Sequence, residues 1–395
     1  MRRRSILGLA GLVAAALPLG CRDAVDPFRV DDRPPIEQQE WRLTFSSWDD
    51  RAPAWSADGD TVVYTASNFD GLPGAPAVPL ALPADGEGPA RTVLRNVQAG
   101  NQTALWVGAA ALGPDGDRIA YVELRPTRAP LPCVTASGTC ASLPGLSLPV
   151  VPLTSAVVRA RAVDAGNPMT DDAALTITFA GHARFTDPTL PTGGFIESRY
   201  HTFQLEWVLE RHLFFQPSWA PDGERLVVSD GMRLLVWRVG EAAATPIPGS
   251  DYGLDAEWSP AGDWIAYTRV VPTDSTVYTC QYFTSVPPPD PPLHDCDERR
   301  VHYQTAPAEV VLVRPDGSDL QVLVQGRDPT FSPAGDVIYF AGADGIRSVP
   351  VAGGASGFVG GRPSDREPAV APDGERLAFT RWGATGTDVW VMQLP

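Results

Sequence analysis

Few side chains in this sequence are able to do covalent or metal chemistry, and their spacing narrows what that chemistry is. Five cysteines occur, Cys21, Cys133, Cys140, Cys280 and Cys296. The last four fall as two local pairs, Cys133 with Cys140 and Cys280 with Cys296, each inside a proline-rich stretch. A zinc site would have to bring both pairs together from distant segments, and the Cys-x-x-Cys spacing usual for such sites is absent. Two local disulfides are the simpler reading, and they call for an oxidising compartment. The histidines, His182, His201, His212, His294 and His302, show no His-Glu-x-x-His or comparable ligand spacing. No Gly-x-Ser-x-Gly elbow presents a nucleophile, and no glycine-rich phosphate loop joins a predicted strand to a helix. The residues therefore assign no catalytic, cofactor-binding or metal-ligating side chain, and the expectation is a chain that binds rather than catalyses.

Cys21 has a different setting. Arg2, Arg3 and Arg4 form a positive start, Ile6 to Leu19 an apolar run, and Gly20 a small residue before the cysteine. The apolar run is shorter than the ~20 residues that span a bilayer as a helix, so residues 1–20 read as a signal peptide. Leu17-Pro18-Leu19-Gly20-Cys21 resembles a bacterial lipobox, with Pro18 where leucine is usual. That resemblance implies an acylated Cys21, a lipidated linker over 21–39, and attachment to a membrane through the lipid alone. Arg3-Arg4-Ser5-Ile6-Leu7 also resembles a twin-arginine export signal.

The charge excludes one class of partner. The formal net charge is −16, and every basic side chain other than histidine is arginine. Such a field repels phosphate backbones, so nucleic acid is a poor partner.

The rest of the chain repeats itself. With 40 Pro and 37 Gly, turns must be frequent and long helices scarce. One motif occurs six times: Trp55-Ser56-Ala57-Asp58-Gly59-Asp60, Leu112 to Asp117, Trp219 to Glu224, Trp258 to Asp263, Phe331 to Asp336 and Val370 to Glu375. Proline presets φ, aspartate bonds its own backbone, and glycine accepts the positive φ that closes a hairpin. Apolar strands follow each turn, as at Val62-Val63-Tyr64 and Leu377-Ala378-Phe379, with third strands such as Leu234 to Trp237 and a fourth at Leu320 to Val324. Gly223 to Gly262 and Gly335 to Gly374 are each 39 residues apart, the length of one four-stranded blade. The 107 residues from Gly116 to Gly223 leave room for a seventh blade, but the runs Ala156 to Val163 and Ala174 to Phe179 serve better as outer strands of the second. The fold expected over 40–395 is thus all-β, a six-bladed β-propeller. Its last motif copy has only three strands, while Glu40 to Phe45 is a spare strand without a partner. Pairing the two closes the ring and removes two open edges.

Two insertions, about 124–152 and 271–307, carry the cysteine pairs and begin after the second strands ending near Tyr121 and Tyr267. Both must leave the same face, the one opposite the Pro-Asp-Gly turns. Loops on a rigid scaffold are where recognition resides, and Tyr278, Tyr282 and Phe283 are candidate apolar anchors for a partner. The motif aromatics and turn aspartates read as structural, since Ala261 and Ala334 replace the aspartate in two copies.

The run Pro217-Ser218-Trp219-Ala220-Pro221-Asp222-Gly223 and its variants resemble the WD40-like repeat of TolB-type propellers. The resemblance covers roughly 40–395 and implies a periplasmic or outer-membrane-anchored lipoprotein, monomeric, that binds an envelope protein or peptide. It departs from the family in carrying a lipobox, in lacking the extra N-terminal α/β domain and in holding two cysteine-bearing insertions. The same blade also serves the propellers of oligopeptidases, so a glycan- or peptide-acting enzyme, lyase or hydrolase, working in the central channel is the alternative.

Overall fold

Each motif turn brings two strands back on one another in the same way. In all six turns the glycine takes a φ between +67° and +73°, at Gly59, Gly116, Gly223, Gly262, Gly335 and Gly374, and its N–H donates to the carbonyl of the serine, alanine or glycine three positions earlier. Asp58, Asp222 and Asp373 accept the backbone N–H two residues on (3.0, 2.9 and 2.8 Å). Where alanine stands instead, Ser259 and Ser332 take over by accepting the N–H groups of Asp263 and Asp336. The turn therefore tolerates Ala261 and Ala334 because a neighbouring hydroxyl does the same job.

The computed structural model describes residues 40–46, 49–67, 77–93, 106–130, 134–135, 138–139, 150–163, 173–178, 182–185, 200–206, 216–230, 233–270, 274–283, 293–302, 307–383 and 386–395. Every regular element among them is a strand. Six four-stranded antiparallel sheets follow one another round a ring. Blade 1 runs from its inner strand Asp49–Trp55 to Arg91–Thr92, blade 2 from Trp106–Leu112 to Ala173–Thr178, and blade 3 from Ser218–Trp219 to Thr245–Pro246. Blade 4 runs from Gly253–Trp258 to Gln321–Gln325, blade 5 from Arg327–Phe331 to Gly357–Gly360, and blade 6 begins at Asp365–Val370. Val150–Ala162 and Ala173–Thr178 are the outer strands of blade 2, so no seventh blade is built from these strands.

Glu40–Arg42 completes blade 6, with Glu40 opposite Met392, Trp41 opposite Val391 and Arg42 opposite Trp390. Beyond Arg42 the ladder gives way to a strap in which Leu43 and Thr44 donate to Val389 O (2.8 and 3.2 Å) and Thr44 Oγ1 accepts the Val389 N–H (2.9 Å). Arg381 locks the seam: it pairs with Asp365 (2.7 Å) and reaches Glu40 (2.9 Å).

The core is distributed. An apolar cluster fills each of the six junctions, for example Val62, Leu82, Ala378 and Val391 between blades 1 and 6, and Leu226, Trp237, Val122 and Val158 between blades 2 and 3. Neighbouring blades bury each other's faces, so the stability of each depends on the next. The turns add a second contact. Pro221 lies where a Cβ on Gly262 would meet it at 2.9 Å, and Pro260, Pro333 and Pro372 abut Gly335, Gly374 and Gly59 in the same way. Each proline thus leans on the glycine of the following blade. Blade 1 has Ala57 instead, and nothing lies within 4 Å of a Cβ on Gly116.

A seventh sheet was not foreseen. The inserted segments join in the order Leu293–His302, Asp274–Phe283, Tyr200–Glu206, His182–Phe185, Val134–Thr135 and Gly138–Thr139. The insertion of blade 4 pairs with the connection between blades 2 and 3, Tyr200 opposite Gln281 through Glu206 opposite Ser275. The first insertion, expected to depart at 124, instead continues blade 2 in register as far as Pro130 opposite Val150.

Candidate functional site

The inner strand of five blades is bent just before the bulky apolar residue that opens the motif. In five blades the pairing register shifts there, between Arg51 and Ala54, Gly108 and Ala111, Leu254 and Glu257, Arg327 and Thr330, and Arg366 and Ala369. The residue inside each bulge has a positive φ, between +46° and +53°, at Ala52, Ala109, Asp255, Asp328 and Glu367. That region is unfavourable for residues with a Cβ. Its recurrence at one position re-aims these side chains toward the axis, as bulges commonly do.

The result is a funnel of about 460 Å³ at the end of the channel that carries the Pro-Asp-Gly turns. Its rim holds Pro114, Pro221, Pro260, Pro333 and Pro372. One step inward, on the residue before each motif's opening apolar residue, stand Ala54, Ala111, Ser218, Glu257, Thr330 and Ala369. The floor is lined by the bulge residues Ala52, Asp255, Asp328 and Glu367, with Gln216 in the matching place of blade 3. The motif aromatics fill the gaps between blades. Trp55 Nε1 donates to Ala369 O (2.8 Å) and Trp219 Nε1 to Ala111 O (3.1 Å), and Arg376, Arg118 and Arg225 of preceding blades stack on Trp55, Trp219 and Trp258. They are wall, as expected from the sequence.

The acids are what the sequence reading missed. Asp255, Glu257, Asp328 and Glu367 all come from blades 4, 5 and 6, while blades 1 and 2 offer alanines at the matching places. Three of them tie the ring together: Asp328 Oδ2 accepts the Glu367 N–H (3.2 Å), Glu367 Oε2 the Ala52 N–H (2.9 Å), and Glu257 Oε1 the Phe331 N–H (3.0 Å). In less acidic junctions the same duty falls to hydroxyls, as where Thr65 Oγ1 accepts the Ala109 N–H (2.8 Å) and Ser218 Oγ the Trp258 N–H (3.1 Å). Protein surrounds the carboxyls, although Asp255, Glu257 and Glu367 keep part of their surface open to the funnel. Burial pushes Glu257 up to about 7, against the bonds from Phe331 and Thr330. Burial, then repulsion from Asp328 and Glu367, raises Asp255 well above the usual carboxylate range, and burial likewise raises Glu367. The one signal available in the sequence was the residue three places before the bulky apolar residue that opens each motif, which reads Ala, Ala, Gln, Asp, Asp, Glu round the ring.

The candidates named from the sequence stand elsewhere. Tyr278, Tyr282 and Phe283 lie in the strand Asp274–Phe283 of the insertion sheet and not among the residues lining the funnel, and their side chains lie outside the described part of the structure. In that sheet Cys280 stands opposite Cys296 in register. Cys21, Cys133, Cys140 and His212 lie outside the described residues, and His182, His201, His294 and His302 belong to strands of the insertion sheet.

Six four-stranded sheets round a channel, the last closed by the N-terminal strand, define a six-bladed β-propeller. No family model and no curated protein matches the chain. Solved structures resemble it in fold. A protein assigned as TolB from Agrobacterium tumefaciens shares 13% identity over 90% of this chain and 97% of its own, with a TM-score of 0.44. An oligogalacturonate lyase solved with manganese shares 10% over 90% and 93%, with a TM-score of 0.40. The acylaminoacyl peptidase of Pyrococcus horikoshii shares 10% over 87% of this chain and 45% of its own, with a TM-score of 0.39.

Proposed function

We propose that this propeller is an exported, lipid-anchored protein of the bacterial envelope that binds a protein or peptide segment in the funnel at the turn end of its channel. The observation that carries the reading is the funnel itself, a preformed concavity of about 460 Å³ whose wall draws on all six blades. Inter-blade hydrogen bonds hold its floor, so little ordering has to accompany binding. The N-terminal charge pattern and Cys21 support export and lipidation, and an envelope location follows from them.

The test uses the mature protein as bait for its own envelope extract, beside an Ala54→Trp variant that fills the funnel. Capture of a partner by the wild type and its loss in a variant with an unchanged melting temperature is the expected outcome. Equal capture by both places binding outside the funnel. Turnover of a pectic or peptidoglycan fragment by the wild type favours the enzymatic alternative instead. One observation favours a second surface: the insertions of blades 2 to 4 combine into one sheet. Deleting 271–307, with Tyr278, Tyr282 and Phe283, then weakens capture while the propeller stays folded.

A further inference from the structure

The strap that closes the ring is built against a carboxyl that has no cation of its own. Beyond Glu40–Arg42 the chain passes through Leu43, Thr44 and Ser46 before it enters Asp49–Trp55, the inner strand of blade 1. Leu43 is buried among apolar residues of blades 1 and 6, and Leu43 and Thr44 both donate to the one carbonyl of Val389. Asp50 is fully enclosed at this crossing. Ser46 Oγ donates to its Oδ2 (2.8 Å), Thr44 is the other hydroxyl neighbour, and Oδ1 has no hydrogen-bond partner. Both hydroxyls belong to the strap.

Among the described residues, the charged groups round Asp50 are like charges or are engaged elsewhere. On its own strand, Asp49 Oδ1 accepts the Thr387 N–H (2.8 Å), and Arg51 reaches Thr387 Oγ1 (3.4 Å) and stands 4.0 Å from Glu367. On the last strand of blade 6, Asp388 is itself raised by burial and takes Arg42 of the N-terminal strand at 2.8 Å. On the second strand of blade 1 stands Tyr64, whose phenol is pushed up by burial and then by Asp50. A buried carboxyl in such company is comfortable only while neutral.

Once ionised, the carboxylate gains most by meeting water, and the question is which of its covers gives way. Thr61–Ser67 and Thr387–Gln393 are each paired on both sides within their sheets. The strap has a three-residue ladder before it and two bonds to one carbonyl. It is the weakest cover, and local openings of this kind cost less than unfolding the domain.

We propose that Asp50 is a proton-sensitive latch on the N-terminal strap: neutral, it lets Leu43 to Ser46 lie closed along the seam, and ionised, it lifts them while the six blades stay folded. Burial pushes Asp50 up to about 7 in the closed form, ahead of the opposing hydroxyls of Ser46 and Thr44, whereas the opened strap returns it to an ordinary 3.8. The open form therefore gives up its proton first. Opening becomes easier as the pH rises between these values and levels off above the higher one.

The experiment is amide hydrogen exchange of the mature protein at pH 5, 6, 7 and 8, with each rate divided by its intrinsic rate. Leu43 and Thr44 report the strap, and Ile265–Arg269 of blade 4 is the reference. The opening constant of the strap should rise by about tenfold or more from pH 5 to pH 8, and Asp50→Asn should lose most of that rise. Dilute urea should leave strap exchange unchanged while it speeds the reference. Ser46→Ala removes a donor from the ionised carboxylate, so it should open the strap by a larger factor at pH 8 than at pH 5. A strap whose opening ignores pH overturns the proposal, and so does an equal rise in Asp50→Asn, which would assign the proton to Asp49 or Asp388. Strap amides that follow the urea slope of blade 4 show that no separate latch exists. If Asp50→Asn does not fold, Ser46→Ala decides alone, and an equal effect at both pH values sinks the latch.

Discussion

Replacing Asp50 with asparagine should make the protein more stable at neutral pH, and the gain should shrink as the pH falls. Asp50 stands five residues before Trp55 in blade 1, the place that Asp365 holds before Val370 in blade 6. Asp365 has Arg381 at 2.7 Å, whereas opposite Asp50 the second strand carries Ala66. Asp50 is 0% exposed, accepts a hydrogen bond from Ser46 Oγ (2.8 Å) on Oδ2, and leaves Oδ1 without a partner. The hydroxyls of Ser46 and Thr44 offset only part of the burial, Asp49 and Asp388 are like charges, and Arg42 is engaged with Asp388 at 2.8 Å. Burial first, and the neighbouring acids after it, push Asp50 up to about 7 from 3.8. Because the folded value lies above the unfolded one, the folded state holds the extra proton between them, and stability falls as the pH rises through that window. At 1.36 kcal/mol per pH unit, the ionised carboxylate costs roughly 4 kcal/mol at pH 8 and about 1.5 kcal/mol at pH 5. Asparagine is neutral throughout and keeps an acceptor for Ser46. Urea unfolding of both proteins at pH 5, 6, 7 and 8 reads the difference directly, and the other buried acids cancel because both carry them. A gap that does not change with pH, or a variant less stable at pH 8, refutes the reasoning.

Gly262→Ala should destabilise by about 3 kcal/mol, since it adds a close approach to Pro221 to the cost of a positive φ, while Gly116→Ala, facing open space, should cost about 1 kcal/mol; thermal melts of the pair separate the two terms. Arg381→Met leaves Asp365 buried and unpaired and frees Glu40, so a loss of roughly 3 to 5 kcal/mol in urea unfolding is expected. Non-reducing peptide mapping of the mature protein should join Cys280 to Cys296, which stand opposite each other in register, and Cys133 to Cys140; a peptide joining Cys133 to Cys296 would contradict both assignments.

The ring was legible because its turns are local. Pro, Asp and Gly at fixed offsets need only four residues to act, and the spare strand at Glu40 followed from counting strands in the last copy. The proline-to-glycine contacts between blades were not legible, because the same residues are already explained by the turn they make. The funnel acids escaped for a related reason. Three of them occupy a bulge, where strand alternation breaks, and that position holds four residue types round the ring, from Ala52 to Glu367, with no one side chain common to all. The insertion sheet rests on pairing between segments about as far apart as Tyr200 and Gln281, and nothing in either segment names the other.

The strand that closes the ring sets an order of events. Arg42 bonds Asp388 across 346 residues, so the first strand of the propeller has no partner until the last one exists. Every other blade finds its four strands within one stretch of chain and is complete when that stretch is made. A polypeptide emerging N-terminus first, from a ribosome or through a translocation pore, therefore assembles blades 1 to 5 around an unfinished sixth, with Glu40–Arg42 waiting. Loop-closure entropy grows only logarithmically with length, so the long wait costs little free energy at equilibrium. It costs time, and during that time the unpaired edge of Glu40–Arg42 is open to any strand that reaches it first.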